Sequence, residues 1–399
     1  MTLQDEASPT PTAPAPTGSD RALWNALRAL FAFSGLLVAL SLVYNFRGNW
    51  SIWKQGDWLI NSINGPIRRG PSGTVIIKVS DQLGVTPVTV VIGLQVVLAG
   101  LLYVGYYLAV RGLEDARVAL LLSCSSAMFL VFWPANIYHG ALRKELLGMV
   151  ALALLLAYLR KRQIWLVVLA GVIMTTGVWA HEIVILFGPA FVYLAWRATK
   201  LGHARIIWAI TAVAAVSGVL AGLYTLRHVT VDDVHQVCDP LISRGLDSRI
   251  CSGPVKWLGA DSDHTLNIVQ KRNANPSGLA LFAVVLVLSA APLAYLSALL
   301  ENRKIALIGL LAALPMLPLF VIVIDWGRWL SCGVMAFASV LIAHALTDGL
   351  PLRRRPAVPV VLAMLALGCL IAPFHINDVV VGGIFSHALD VVRDFWHSI

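Results

Sequence analysis

From Ile164 to Trp196 the chain is apolar or small at nearly every position, and only His181-Glu182 interrupts the run. As one helix those 33 residues would run about 50 Å, well past the ~30 Å hydrocarbon core of a bilayer. A hairpin of two helices fits that thickness, with His181-Glu182 at its tip. The arms are short, so the tip is expected at or below headgroup level, where an ionised carboxylate is costly to hold. A Glu kept there has a partner or a function; the plain alternative is a polar turn reaching water.

The remainder of the chain has the same character. Of 399 residues 58% are hydrophobic and 13% charged, with mean hydropathy +0.78. Soluble domains carry about 25% charged residues, so the expectation is an integral membrane protein. The net charge of +9 does not point to nucleic acid. Basic residues stand in short clusters between apolar segments, as loop charges do in multi-pass proteins, and the partner they imply is the lipid bilayer.

The fold expected is an all-α, polytopic helix bundle of about 11 transmembrane spans. Their centres fall on about 24–45, 88–110, 118–135, 146–159, 164–180, 183–196, 206–226, 278–300, 305–324, 330–346 and 357–374. Residues 1–21, rich in Pro, Thr, Ala and Ser, read as a disordered tail and not as a cleaved leader. Residues 22–374 form the bundle, with two larger outer loops at 46–87 and 227–277, and 375–399 an outer tail. Basic residues near the helix ends favour an inner amino terminus. Outside the long loops, the outer segments carry few: Arg143, Lys144, Arg328 and Arg393. Cys238 and Cys251 then lie in an outer loop, in an oxidising compartment, where a disulfide is expected. No Cys/His spacing matches a zinc site, and neither metal nor cofactor is expected.

Three further motifs fall on the outer side. The first loop holds Asp57 and then Arg68-Arg69-Gly70; paired guanidinium forks beside glycine backbone are the parts that a pyrophosphate needs. After them Val75, Ile76, Val79 and Leu83 share one helical face, which suggests an interfacial helix. The turn between spans three and four reads His139-Gly-Ala-Leu-Arg143-Lys144-Glu145. Cations at the start of a helix oppose its dipole, so either a bound anion or snorkelling to lipid phosphates must favour them. In Asp325-Trp-Gly-Arg328-Trp329 the acid and base can pair three residues apart, and the tryptophans suit an interfacial belt. Together these motifs place carboxylates (Glu182 foremost, with His181 beside it, and Asp57) and cations (Arg68, Arg69, Arg143, Lys144, Arg328) around one outward cavity. His139, Glu145 and Asp325 support them. A base for a hydroxyl and cations for a departing diphosphate suit glycosyl transfer.

On these residues the chain resembles the multi-pass proteins of bacterial polysaccharide loci, the O-antigen and exopolysaccharide polymerases and the C-type membrane glycosyltransferases. The likeness covers most of residues 22–374 and is diffuse. It implies a bacterial inner-membrane protein with a cytoplasmic amino terminus and periplasmic outer segments. The implied reaction extends or polymerises a polyprenyl-pyrophosphate-linked saccharide, beside other polysaccharide assembly proteins. The first-loop acid of C-type enzymes would correspond to Asp57. The large soluble carboxyl-terminal domain of many C-type enzymes is missing, as is a clear paired-acid motif, which favours the polymerase. A lipid-linked glycan flippase or other transporter is the alternative; Pro315, Pro318 and Gly188-Pro189 would mark its broken helices.

Overall fold

The computed structural model describes residues 18–228, 231, 233–259, 267–271, 276–374, 380–385 and 387–397. It is helical almost throughout. Most of the expected amino-terminal tail lies outside the described residues, and its last residues, from Gly18, already belong to the first helix, α1 (Gly18–Phe46). Among the described residues seven helical segments are long and apolar enough to cross a membrane: Asp20–Phe46, Pro87–Val110, Glu182–Thr199, Ala204–Arg227, Pro276–Leu299, Arg303–Ile322 and Trp326–Asp348. Ile164–Ala180 and Val358–Leu370 are shorter apolar helices.

After α1 come α2 (Lys54–Trp58), α3 (Gly70–Leu83), α4 (Pro87–Val110), α5 (Ala116–Ser123), α6 (Phe129–Ala135), α7 (Leu146–Lys161) and α8 (Ile164–Ala180). A 3₁₀ turn, Glu182–Phe187, leads into α9 (Gly188–Thr199), and α10 (Ala204–Arg227) and α11 (His235–Ile242) follow. The bundle is built around α7. Residues 146–159 are apolar on every side, and all of them are buried, the expected place for a helix without a polar face. It packs against α4, α8, α9 and the Trp326–Asp348 helix. Small residues let the backbones approach: a Cβ on Gly105 of α4 would lie 3.0 Å from the Ala153 carbonyl oxygen.

Two expected spans are not continuous helices. Residues 118–135 divide into α5 and α6 around a buried, non-helical stretch from Cys124 to Met128. The Ser125 hydroxyl donates to the Ser289 carbonyl at 2.6 Å, and the Ser126 and Ser289 hydroxyls lie 2.7 Å apart. Opposite, Gly368 sits so close to the Cys124 carbonyl that a Cβ there would lie 2.1 Å from it. Such a break is tolerated in a membrane bundle where it is buried in protein. The 305–324 run turns 3₁₀ at Leu314–Met316, where Pro315 and Pro318 remove ladder donors.

The two long loops, 46–87 and 227–277, pack on each other where both are described. Ile60 and Ile67 of the first loop form a small core with Val231, Val237, Val255 and Leu258 of the second. The Asn61 side chain donates to the Val237 carbonyl at 2.8 Å. Cys238 and Cys251 are joined by a disulfide, Cα to Cα 5.4 Å. Helix α3 forms as expected, and it packs on the protein by its small-residue side. Gly70, Gly73, Ile76, Ile77 and Ser80 point inward, while Val75 and Leu83 are exposed. The glycines decide this: a Cβ on Gly73 would sit 2.0 Å from the Ile60 carbonyl oxygen. The chain ends in a short antiparallel pair, Ile371–Pro373 with Val380–Gly382, and an amphipathic helix, Ala388–His397, lying on α1.

Candidate functional site

Three backbone devices carry the outer motifs into one place. Leu142 adopts a left-handed conformation (φ 59°), and its carbonyl accepts from Trp58 Nε1 at 3.0 Å and from Gln95 Nε2 at 2.9 Å. Such a conformation is strained for a branched residue and persists where its surroundings over-determine it; here it turns Arg143, Lys144 and Glu145 into the protein. Arg69 is also left-handed (φ 64°), and Lys144 Nζ holds its carbonyl at 3.1 Å. At the hairpin tip His181 is extended and caps the 3₁₀ turn, its Nδ1 accepting from the Ile183 amide at 3.2 Å. That bond makes Nδ1 an acceptor, so the ring proton belongs on Nε2.

The side chains then form one ion cluster. Arg69 clasps Glu182, with Nε 2.9 Å from each carboxylate oxygen and a terminal nitrogen bonded to Oε1. Arg328 makes a fork on Glu145 at 2.9 and 2.8 Å and also pairs with Asp325. Arg143 stands between two acids, 3.8 Å from Asp57 and 3.8 Å from Asp325, with its guanidinium over the Trp53 ring at 5.8 Å. Four cations (Arg69, Arg143, Lys144, Arg328) thus face four carboxylates (Asp57, Glu145, Glu182, Asp325). Charge must be matched in this way where most of the groups are out of water.

Asp57 is the exception within the cluster. Its side chain is 0% exposed, yet among the described residues neither carboxylate oxygen accepts a hydrogen bond. Burial pushes its carboxyl up, but Arg143, Lys144, His181 and Arg69 outweigh that and hold it below the usual carboxylate range. It is an ionised acid with its lone pairs unused. Lys144 shows the opposite balance: burial draws its ammonium down to about 8, against the pull of Asp57.

Each expected site residue falls in or beside this cluster. Arg68 lies at its edge, with its Nε buried and without a hydrogen bond among the described residues. His139 is half-buried and drawn down by burial, then by Lys54 and Arg143. Glu182 has a partner, as its place at the tip suggested: the Arg69 fork. One expectation needs correction. The tryptophans at 326 and 329 are 4% and 2% exposed and do not form an interfacial belt; Trp326 packs on Phe282, ring centroids 4.6 Å apart, and on Phe320.

Sequence reasoning missed Lys54. It is 1% exposed, its ammonium bonded to the Ser41 hydroxyl at 3.1 Å, and burial draws it down to about 7. The signal was its place three residues before Asp57, on one face of a short helix. In the second loop His235, Cys238 and Asp239 lie close enough to hold a metal, but the Cys238 sulfur is committed to the disulfide. No family model, curated protein or solved structure matches this chain.

Proposed function

We propose that this chain is a membrane glycosyltransferase of the polysaccharide-polymerase kind, acting on a polyprenyl-pyrophosphate-linked saccharide at the outer face of a bacterial inner membrane. The reading includes eleven crossings and a cytoplasmic amino terminus. The observation that supports it best is Asp57: a buried, ionised carboxylate with free lone pairs, surrounded by cations at the level of a membrane hairpin tip. In the reaction the oxygen of an acceptor sugar hydroxyl bonds to the anomeric carbon of the donor, and its proton passes late in that step to Asp57, a base that the surrounding cations keep weak. The bond from that carbon to the diphosphate oxygen breaks, and the lipid diphosphate leaves with its charge met by Arg68, Arg69 and Arg143. Asp57 thus takes the role of base that the hairpin position suggested for Glu182.

The test is to delete the gene and separate the lipid-linked saccharides on a gel. Loss of a polymerase leaves single capped repeat units, and loss of a single-sugar transferase leaves a truncated unit. The second reading, a flippase, is favoured by the broken helix at Leu314–Met316 and the 3₁₀ turn at Glu182–Phe187, since transporters bind substrate at interrupted helices. It predicts full units trapped on the inner face. An unchanged saccharide profile would sink both.

A further inference from the structure

A diphosphate that approached this cluster would not find Arg69 free. The guanidinium spends Nε and a terminal nitrogen on Glu182. We propose that the Arg69–Glu182 pair is a displaceable latch: Glu182 stands in for the anion in the resting protein, and a diphosphate takes over the Arg69 fork on binding and frees Glu182 toward water. The inference rests on the diphosphate substrate proposed above.

Four observations on different residues support it. Exposure is highest at the pair: the side chains of Arg69 and Glu182 are 20% and 28% exposed, against 18% for Asp325, 7% for Arg143, 6% for Glu145, 1% for Arg328 and 0% for Asp57. An incoming ligand therefore meets the pair before it meets the base. Next, two donors of the cluster are unused. The Nε atoms of Arg68 and Arg143 are buried and without a hydrogen bond among the described residues, so an anion there gains contacts that the resting cluster leaves unmade. Third, the four cations within the cluster already balance four carboxylates, so a diphosphate beside all four acids brings more negative charge than the edge cation Arg68 offsets alone. Of the four, Glu182 is the most exposed and so the least costly to return to water. Last, the Arg69 backbone is anchored independently of Glu182 by the Lys144 bond to its carbonyl. The guanidinium can change partner while the loop stays in place.

A merely structural role for Glu182 predicts the opposite sign. If Glu182 serves to orient Arg69 for the anion, its removal lets the fork wander and weakens binding. If it is a latch, its removal eliminates a competitor and tightens binding.

The experiment measures inorganic pyrophosphate binding to the full chain in lipid nanodiscs by calorimetry. Glu182→Gln is expected to bind roughly two- to fivefold tighter than the unaltered protein, the scale of a partly exposed ion pair. Glu182→Asp, which keeps the charge but shortens its reach, is expected to show a smaller gain and serves if the glutamine variant does not assemble. The gain must run through Arg69, so Arg69→Gln should abolish it in the double variant. Equal or weaker binding by the Glu182 variants overturns the latch and leaves the diphosphate reading standing. Gain that survives Arg69→Gln also overturns it. No pyrophosphate binding by any form sinks the diphosphate reading and the latch together.

Discussion

Asp57 and Lys144 carry the chemistry that can be tested one residue at a time. Removing a general base typically costs about 10²–10⁴-fold in turnover. Asp57→Asn should therefore nearly abolish polymer formation from purified lipid-linked units while pyrophosphate binding persists; normal turnover would return the role to Glu182. Lys144 gives a pH signature. Its ammonium is held down to about 8 by burial, so it is charged below that pH and loses its charge above it. Activity that needs this cation should fall through pH 8, and Lys144→Arg should move that alkaline limb upward, because a guanidinium does not titrate there. Stability should move the other way. A lysine with a lowered folded pKa binds fewer protons folded than unfolded between about 8 and its ordinary 10.5, so its contribution to stability rises with pH across that window. A chemical-denaturation series that fell there would contradict the burial of Lys144. At this scale the sequence was legible for identity and not for pairing. Lone charged residues in apolar runs announced themselves, but that Arg69 takes Glu182 and leaves Asp57 bare depends on contacts 113 positions apart in the chain.

At the scale of elements, periodicity indicated where helices lie better than which face they bury. Helix α3 illustrates why. Its apolar stripe, Val75, Ile76, Val79 and Leu83, suggested an interfacial helix and said nothing of the face turned to the protein, which is set by glycines that an apolar count ignores. Gly73 lies against the backbone of the first loop, where a Cβ would meet the Ile60 carbonyl oxygen at 2.0 Å. Backbone cannot give way cheaply, so Gly73→Ala should destabilise the protein by roughly 1–3 kcal/mol, the cost of overpacking. It should also disturb the neighbouring Arg69. Thermal unfolding in detergent, with pyrophosphate binding as the second readout, checks both; an unshifted melting temperature would mean that α3 is not seated as described. The break between α5 and α6 was invisible for a related reason. Cys124 to Met128 are small or apolar and fit a helix locally, and the partners that the Ser125 and Ser126 hydroxyls find, the Ser289 carbonyl and hydroxyl, lie on a distant helix. Prolines, by contrast, marked the break at Leu314–Met316 directly. The carboxyl-terminal helix was read only as a tail, yet it reaches the cluster's outer turn, with Tyr138 donating to Asp394 at 2.8 Å.

For the molecule as a whole, what the sequence made visible was asymmetry: its polar loops and unusual charges belong to one side. The structure adds that the second outer loop rests on the first, and so helps to exclude water from the Asp57 neighbourhood. Ile250, beside the disulfide, packs on Gly56, where a Cβ would lie 3.3 Å away. In the chain-entropy view a closed loop of about this size is worth roughly 3 kcal/mol, so Cys238→Ser with Cys251→Ser should loosen this cover and lower the melting temperature. The same cysteines test orientation. With an inner amino terminus, an impermeant maleimide added to intact, reduced cells should label Cys238 and Cys251. Cys124 and Cys332 are buried and should stay unlabelled; with the partly exposed Cys369 replaced by Ser, the signal reports the second loop alone. Labelling that appeared only after the inner membrane was breached would turn the bundle over. The cluster around Asp57 would then face the cytoplasm, where nucleotide sugars, not lipid-linked repeat units, are the available glycosyl donors, and the polymerase reading would fall with the topology.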